Sequence, residues 1–236
     1  VKSIFLYDDS IGKVDLVQHM GSDLTVVNSA RVSFGIEKEE LDTRDKKLIN
    51  YLIKHRHTST LEHCSVTFKF TVPLFVRSQH HRHRTWSYNE ISRRYTSKDL
   101  QFYTPDSFRT QHESNRQASN EAELIDPVII PDLYDIGYGV TASNLINRAT
   151  KESVGLFNML LKSGVCREQA RMVLPQNLYT EYYGTVNLNN LLKFVDLRTH
   201  EGAQWEIRRV AEACLQFAND LFPITVKSYR ELRGGK

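Results

Sequence analysis

Between Cys64 and Val72 the apolar residues Val66, Phe68, Phe70 and Val72 fall on alternate positions, a spacing that predicts a strand with one buried face. Pro73 stops that pattern, and its fixed φ and missing N–H suit the opening of a short helix through Leu74, Phe75 and Val76. What comes next has no place in a core. The fourteen residues from Arg82 to Tyr95, RHRTWSYNEISRRY, carry four arginines with Ser87, Asn89, Glu90 and Ser92 set among them. Any fold this chain adopts must therefore bury the strand and leave the charged run reachable, with Gln79, Arg82 and Arg84 at the exposed end of the short helix. Guanidinium forks suit bidentate contact with phosphate or with a flat ring bearing carbonyls, and the interleaved carboxylate, hydroxyls and amide meet the other edges of a nucleotide. The run reads as a site on an anchored element.

At 236 residues, 40% hydrophobic and 25% charged, the chain suits one globular domain, or one domain with a long insertion, and disorder as its main state is excluded. A net charge of +3, from 31 basic and 28 acidic residues, is too small for nonspecific nucleic-acid binding over a whole surface. Cys64, Cys166 and Cys214 have no paired spacing, so no disulfide framework or zinc ribbon is indicated and a reducing, cytoplasmic setting is expected. Val1 to Tyr7 runs directly into Asp8 and Asp9, which does not read as a signal peptide, and no apolar stretch approaches membrane-spanning length. No membrane partner is expected.

Helical spacing marks Asp45 to His55 through Leu48, Ile49, Leu52 and Ile53, and Asn144 to Leu161, closed by Ser163-Gly164. A short helix is expected over Arg167 to Leu174, stopped by Pro175. A strand follows over Tyr179 to Asn187, then a helix over Leu188 to Arg198. The clearest helix is Ala203 to Leu221, with Pro223 ending the pattern. Leu100 to Tyr103 reads as a further strand. The stretch from about 106 to 140, polar and broken by Pro127 and Pro131, reads as an insertion or excursion.

Two histidine groups, His55, His57 and His63 and then His80, His81 and His83, raise a metal alternative. The arginines around the second group oppose a cation, no HExxH occurs, and no metal site is expected. Cys166 precedes Arg167 at a helix start, where a thiolate would be stabilised, but a small residue opening a helix accounts for it more simply. Cys64 and Cys214 are core candidates. The absence of a GxGxxG after a strand excludes a Rossmann-type dinucleotide site.

The string Arg82-His83-Arg84, then seven residues, then Ser92 resembles the signature of the flavin-dependent thymidylate synthases (ThyX), and Tyr88-Asn89-Glu90 and Arg94-Tyr95 extend the match. Further blocks resemble the family in family order: Ala30 to Phe34, Lys54 to His57 with Glu62-His63, Ala170 to Pro175, and Leu197-Arg198 followed by Ala203 to Glu206. The resemblance covers nearly the whole chain, the exception being the stretch near 106 to 140. It implies one catalytic domain over residues 1–236, of α+β class, with a mainly antiparallel sheet packed with long helices, forming a homotetramer with shared active sites. The reaction it implies moves a methylene from methylenetetrahydrofolate to C5 of dUMP and completes the methyl with a hydride from FAD that NADPH has reduced.

Carried over position by position, the resemblance makes Arg198 the ring-activating arginine, because a fixed guanidinium favours negative charge developing on uracil. Ser92 matches the family serine; with no base partner evident in the sequence it is assigned to binding and polarising the pyrimidine. Gln79, His80, His81, Arg82, Glu90, Ile91, Ser92, Arg93, Arg94, Arg171 and Arg198 fall on dUMP-contacting positions. Ser33, His57, Ser59, Arg82, His83, Arg84, Thr85, Glu90, Asn187, Asn189 and Lys193 fall on FAD positions. Asn189 stands where a member can have arginine and Lys193 where it can have asparagine. His57, Tyr95 and Tyr103 are candidates to stack on flavin or pterin rings. Two rivals stay in view: an arginine-rich nucleic-acid-binding module and a histidine-based metal hydrolase.

Overall fold

The computed structural model describes residues 2–96, 99–130 and 138–233, which separate into two compact units. One comprises residues 1–71, 79–89 and 181–236, and the other residues 72–78 and 90–180. The chain crosses between them at residues 71–72, 78–79, 89–90 and 180–181.

The first unit carries most of a five-stranded sheet of order β1-β2-β3-β9-β4: β1 Lys2–Phe5, β2 Lys13–Met20, β3 Ser65–Pro73, β4 Ser87–Glu90 and β9 Tyr179–Asn187. β1 pairs antiparallel with β2, and β2 with β3, where Val14 faces Phe70 and Leu16 faces Phe68. Val66, Phe68, Phe70 and Val72 are all inaccessible to solvent, as the alternation predicted. The helices of this unit are α1 Asp23–Arg31, α2 Thr43–Lys54, α6 Leu188–Arg198, α7 Trp205–Leu221 and α8 Pro223–Arg233. α7 packs on β2 and against α6 and α8, while α2 lies against α8.

Local chemistry sets the helix ends. Asp42 accepts from the Arg44 and Asp45 amides at the start of α2, and Asp45 returns the bond by accepting from the Asp42 amide at 2.9 Å. Burial of Asp45 opposes its ionisation, but the Lys38 ammonium, the Asp42 amide and Arg31, the last at 2.6 Å, outweigh it and hold the carboxyl far below the usual carboxylate range. Asn187 caps α6 by accepting from the Asn190 amide at 2.9 Å. Pro223, expected only to end the preceding helix, also opens α8. The first amides of α8 are satisfied from far away in sequence: buried Asp23 accepts from Ile224 N and Thr225 N, both at 2.9 Å, and from the Thr225 hydroxyl at 2.6 Å.

The second unit holds the first part of α3 Leu74–His80, the long α4 Ala142–Lys162 and the short α5 Arg167–Ala170, which continues as a 3₁₀ turn over Arg171–Val173. Gly164, at φ +88°, supplies the left-handed residue after the Ser163 cap of α4. Phe157, Ala170, Leu174 and Leu178 form its core, with Leu74, Leu100 and Phe102 packed around them. The strand expected at Leu100 to Tyr103 is reduced to a single bridge between Phe102 and Leu178. The polar excursion contains an antiparallel hairpin of β5 Phe108–Gln111 and β6 Ser119–Ile125, then a short pair, β7 Val128–Ile129 with β8 Val140–Thr141. Its residues 131–137, Pro131 among them, lie outside the described residues.

Gly184 on β9 faces the aromatic centre of the first unit. A Cβ there would lie 2.9 Å from Phe70 Cε2 and 3.2 Å from Trp86 Cε3. Gly184→Ala is expected to lower stability by about 1–3 kcal/mol through overpacking, read as a lower urea midpoint with an unchanged slope.

Candidate functional site

Within the second unit, the end of β4, the turn after it, the start of α3, the 3₁₀ turn at Arg171 and the start of β9 enclose a cavity of about 300 Å³. Its polar lining is Arg77, Glu90, Ser92, Arg93, Arg171 and Thr180, and its apolar floor includes Leu74, Leu174 and Leu178. Three guanidiniums, one carboxylate and two hydroxyls over an apolar base suit a small anion that also carries hydroxyls and a ring. Five residues expected to contact nucleotide, Glu90, Ile91, Ser92, Arg93 and Arg171, meet here although Arg171 is some eighty positions away in sequence.

Each polar group has an identifiable anchor. Glu90 Oε1 accepts from the buried Thr180 hydroxyl at 2.6 Å, and Arg77 Nε lies 3.3 Å from the same oxygen. That separation makes an ion pair, although the buried Nε–H makes no hydrogen bond. Arg93 Nη2 donates to the Tyr179 carbonyl at 3.4 Å. Ser92 Oγ accepts from the Arg94 amide at 3.3 Å, and no imidazole or carboxylate contacts it among the described residues. Arg94 lines no part of the cavity; it is exposed and pairs with Glu168 at 3.5 Å, with its guanidinium 5.9 Å from the Tyr95 ring centre. Arg77 and Thr180 were not among the expected site residues. The one sequence signal was a charged residue, Arg77, one step after the apolar opening of α3.

The first unit carries the other part of the arginine run. Arg198, at the end of α6, donates from Nε to His83 Nε2 at 3.0 Å and from Nη2 to the Gln79 carbonyl at 3.4 Å. Since a guanidinium has no acceptor, His83 must be neutral with its proton on Nδ1. Burial and then the neighbouring Arg198 charge push the His83 pKa down to about 4, and burial alone lowers that of Arg198. Gln79 is oriented by a relay. The Glu206 carboxylate accepts from Gln204 Nε2 at 2.9 Å, so Gln204 turns its carbonyl oxygen to Gln79, whose Nε2 donates to it. Gln204 and Glu206 belong to a block noted in the sequence without an assigned role.

His80, two residues before the run, is placed differently from the arginines that follow it. It is inaccessible to solvent, shares a 2.8 Å hydrogen bond with the Tyr182 hydroxyl and lies among Phe70, Trp86 and Phe194, at ring distances of 4.6 to 4.7 Å. Its side chain therefore offers nothing to a ligand and belongs to the core beneath the run, with burial holding it neutral. His81 packs on Tyr88 and Tyr182.

Of the residues expected at a flavin, Ser33, His57, Ser59, Arg82, Arg84, Thr85 and Lys193 are exposed, whereas Asn187 is engaged as the α6 cap. Asn189 is buried and donates to Glu62 Oε1 at 3.0 Å. Arg82 and Arg84 have no ion-pair partner among the described residues, and His57 stacks on Tyr51. Two unspent guanidiniums and an accessible ring pair are a donor set that fits a dinucleotide with a pyrophosphate and a flat ring system. Cys166 is exposed at the start of α5, while Cys64 and Cys214 are buried. Among the described residues no group of three or more His, Cys, Asp or Glu is placed to hold a metal ion, and no helix is long and apolar enough to cross a membrane.

Fold and site thus define an α+β protein with an arginine-lined cavity whose chemistry suits an anionic ligand. The family model described as thymidylate synthase complementing protein matches residues 15–224. A flavin-dependent thymidylate synthase from Thermus thermophilus is 43% identical over 222 residues, 93% of this chain and 76% of that one. One from Thermotoga neapolitana is 37% identical over 92% of this chain and 90% of its own length. Among solved structures, a UMP/dUMP methylase PolB from Streptomyces cacaoi bound with 5-Br dUMP aligns with a TM-score of 0.79 and 33% identity, covering 97% of both chains. The chain belongs to the thymidylate synthase complementing protein family, that of the flavin-dependent thymidylate synthases.

The Arg198–His83 bond makes a spectroscopic prediction. In ¹⁵N NMR, His83 is expected to remain neutral, protonated at Nδ1, until the pH approaches about 4. The folded-state value lies below the unfolded one, so this group's stabilisation is complete above the ordinary histidine value and is lost as the pH falls from there through about 4. Arg198→Met is expected to raise the titration midpoint and to remove the Nε2 acceptor signature.

Proposed function

We propose that this chain converts dUMP to dTMP as an FAD-dependent thymidylate synthase, taking its carbon from methylenetetrahydrofolate, releasing tetrahydrofolate, and using NADPH to reduce the flavin. The observation that carries this reading is the convergence of Glu90, Ile91, Ser92, Arg93 and Arg171 on one cavity in a chain of this family. The arginines of the cavity, joined by Arg94, hold the nucleotide phosphate through charge-assisted bonds. Glu90 takes a sugar hydroxyl, and Ser92 donates to the pyrimidine. Uracil C5 is a poor nucleophile until negative charge can build on the ring, and Arg198 supplies a fixed cation for that charge without itself exchanging a proton. Its present partner His83 is neutral, so releasing Arg198 to a ring carbonyl breaks a hydrogen bond and no ion pair.

Ser33, His57, Ser59, Arg82, His83, Arg84, Thr85, Glu90 and Asn187 are the residues assigned to FAD, with Arg82 and Arg84 toward its phosphates. When bound, the flavin supplies the hydride that completes the methyl group. Asn189 and Lys193 are assigned to the same region, Asn189 through its bond to Glu62. Ser33 lies between Val32 and Phe34, which are 71% and 79% exposed in the single chain. Large apolar side chains flanking a cofactor position call for cover, which supports a homotetramer whose subunits share each active site. One catalytic domain over 1–236, with 106–140 as an insertion, and a reducing, cytoplasmic setting for the three free cysteines complete the reading.

Purified protein given dUMP, methylenetetrahydrofolate and NADPH is expected to form dTMP and to bleach its bound flavin; bound FAD without any dTMP would sink the proposal. Arg198→Ala should keep the flavin spectrum and lose most turnover, by about a hundredfold or more if the guanidinium stabilises developing charge. Unchanged turnover would remove Arg198 from catalysis. Cys166→Ala should still form dTMP, and its complete inactivity in a folded protein would restore a thiol nucleophile.

A further inference from the structure

Gln79 lies near the end of α3, in the first unit, with the Arg198 guanidinium against its main-chain carbonyl at 3.4 Å. Its side-chain amide is held separately. Gln79 Nε2 donates to Gln204 Oε1, and Gln204 Nε2 donates to Glu206 Oε2 at 2.9 Å. Gln204 immediately precedes α7 but its side chain caps none of that helix's amides. Glu206 is buried in the first turn, where its carbonyl accepts from the Tyr7 hydroxyl at 3.0 Å.

A side-chain amide can turn over, exchanging its oxygen and nitrogen, with little change of shape. This pair is denied that freedom. A carboxylate only accepts, so Glu206 requires Gln204 to give it Nε2 and to turn Oε1 toward Gln79. Turning Gln79 over would set two carbonyl oxygens against each other, and turning both amides over would set an oxygen against the carboxylate. Gln79 is left with Oε1 unused among the described residues, close to a guanidinium that can only donate. One Nε2 proton also stays available, so an amide free to turn over would read either order of donor and acceptor on a ring. Only the locked order discriminates.

We infer that Gln204 and Glu206 are positioning residues for base recognition: they lock the Gln79 amide so that Oε1 accepts the N3 proton of uracil while Arg198 takes the adjacent ring carbonyl, which favours uracil over cytosine. The inference rests on the reading of Gln79 and Arg198 as contacts to the dUMP ring. Uracil N3–H is flanked by two carbonyls, so an acceptor beside a donor complements it on either side. Cytosine N3 carries a lone pair that would face Oε1 whichever neighbour Arg198 takes.

Calorimetry with the flavin-loaded protein tests this using dUMP, dCMP and N3-methyl-dUMP, which share sugar and phosphate. Wild type is expected to prefer dUMP over each of the others by about tenfold. Glu206→Gln frees both amides to turn over and should bring the dCMP-to-dUMP ratio of Kd toward one. The exchange of Gln204→Glu with Glu206→Gln gives the Gln79 amide a carboxylate acceptor again and should restore the preference, which a general packing defect would not do. An unchanged ratio in folded Glu206→Gln, or no recovery in the folded exchange, overturns the inference. Should either variant fail to fold, Gln204→Met removes the lock at a half-buried position, and a ratio it leaves unchanged overturns the inference equally. Wild type that binds neither dUMP nor dCMP refutes the nucleotide reading itself. Wild type that binds dUMP and dCMP alike, or dUMP and its N3-methyl form alike, leaves that reading standing and overturns only the specificity.

Discussion

A neutral imidazole with no access to solvent holds the arginine-rich run in register. His80 can be buried only because it is uncharged and because Tyr182 meets one of its ring nitrogens; an imidazolium among Phe70, Trp86 and Phe194 would carry a desolvation cost that no neighbouring carboxylate offsets. The ring packs against β3 through Phe70, against β9 through Tyr182 and against α6 through Phe194. Two residues later the arginines begin. The Tyr88 hydroxyl reaches back to the carbonyls of His80 and His83, at 2.9 and 3.1 Å, and pins the turn between them. The geometry of Arg82, His83 and Arg84 is therefore inherited from an aromatic core.

The arginines differ in how much of their charge is already answered. Arg77 faces Glu90, Arg94 has a long, exposed contact with Glu168, and Arg198 leans on a neutral histidine; Arg82 and Arg84 have no acidic partner among the described residues. Exposed pairs contribute little, so Arg94 gives up little on leaving Glu168. The Arg77–Glu90 pair, closed in by Thr180, is the opposite case: breaking it strands a half-buried carboxylate. Arginines with firmly held charge and arginines with charge to spare are separated by their partners, not by residue type.

Regular elements with one apolar face were legible in the sequence. The spans of β9 and α6 agree with the expected Tyr179 to Asn187 and Leu188 to Arg198, and β3 and α4 differ from expectation by a residue or two at their ends. The hairpin of β5 and β6 was not, because its strands bury neither face and so carry no alternation. α8 was hidden by Pro223, which reads as a stop when the cap that lets it start a helix is Asp23 on another element. At the site, the blocks of residues identified the family, but spacing alone did not tell an exposed side chain from a core anchor. His80 and Arg82 are two positions apart and on opposite sides of that boundary. Arg77 and Thr180 were missed because nothing in their sequence surroundings shows that they converge on one oxygen of Glu90.

The cap from Asp23 to the start of α8 spans 202 residues of sequence. A ribosome emits the chain in order, so the buried carboxylate of α1 emerges with its partners still unmade, and the whole of the second unit, including the Glu90 cavity, is synthesised before Ile224 and Thr225 can reach it. Until then α1 carries a carboxylate that must stay hydrated, and α2 lacks the helix it packs against. Completion of the first unit is thus a long-range event, and a chain that stalls before Ile224 leaves the cavity of the second unit encoded but α1 unsecured.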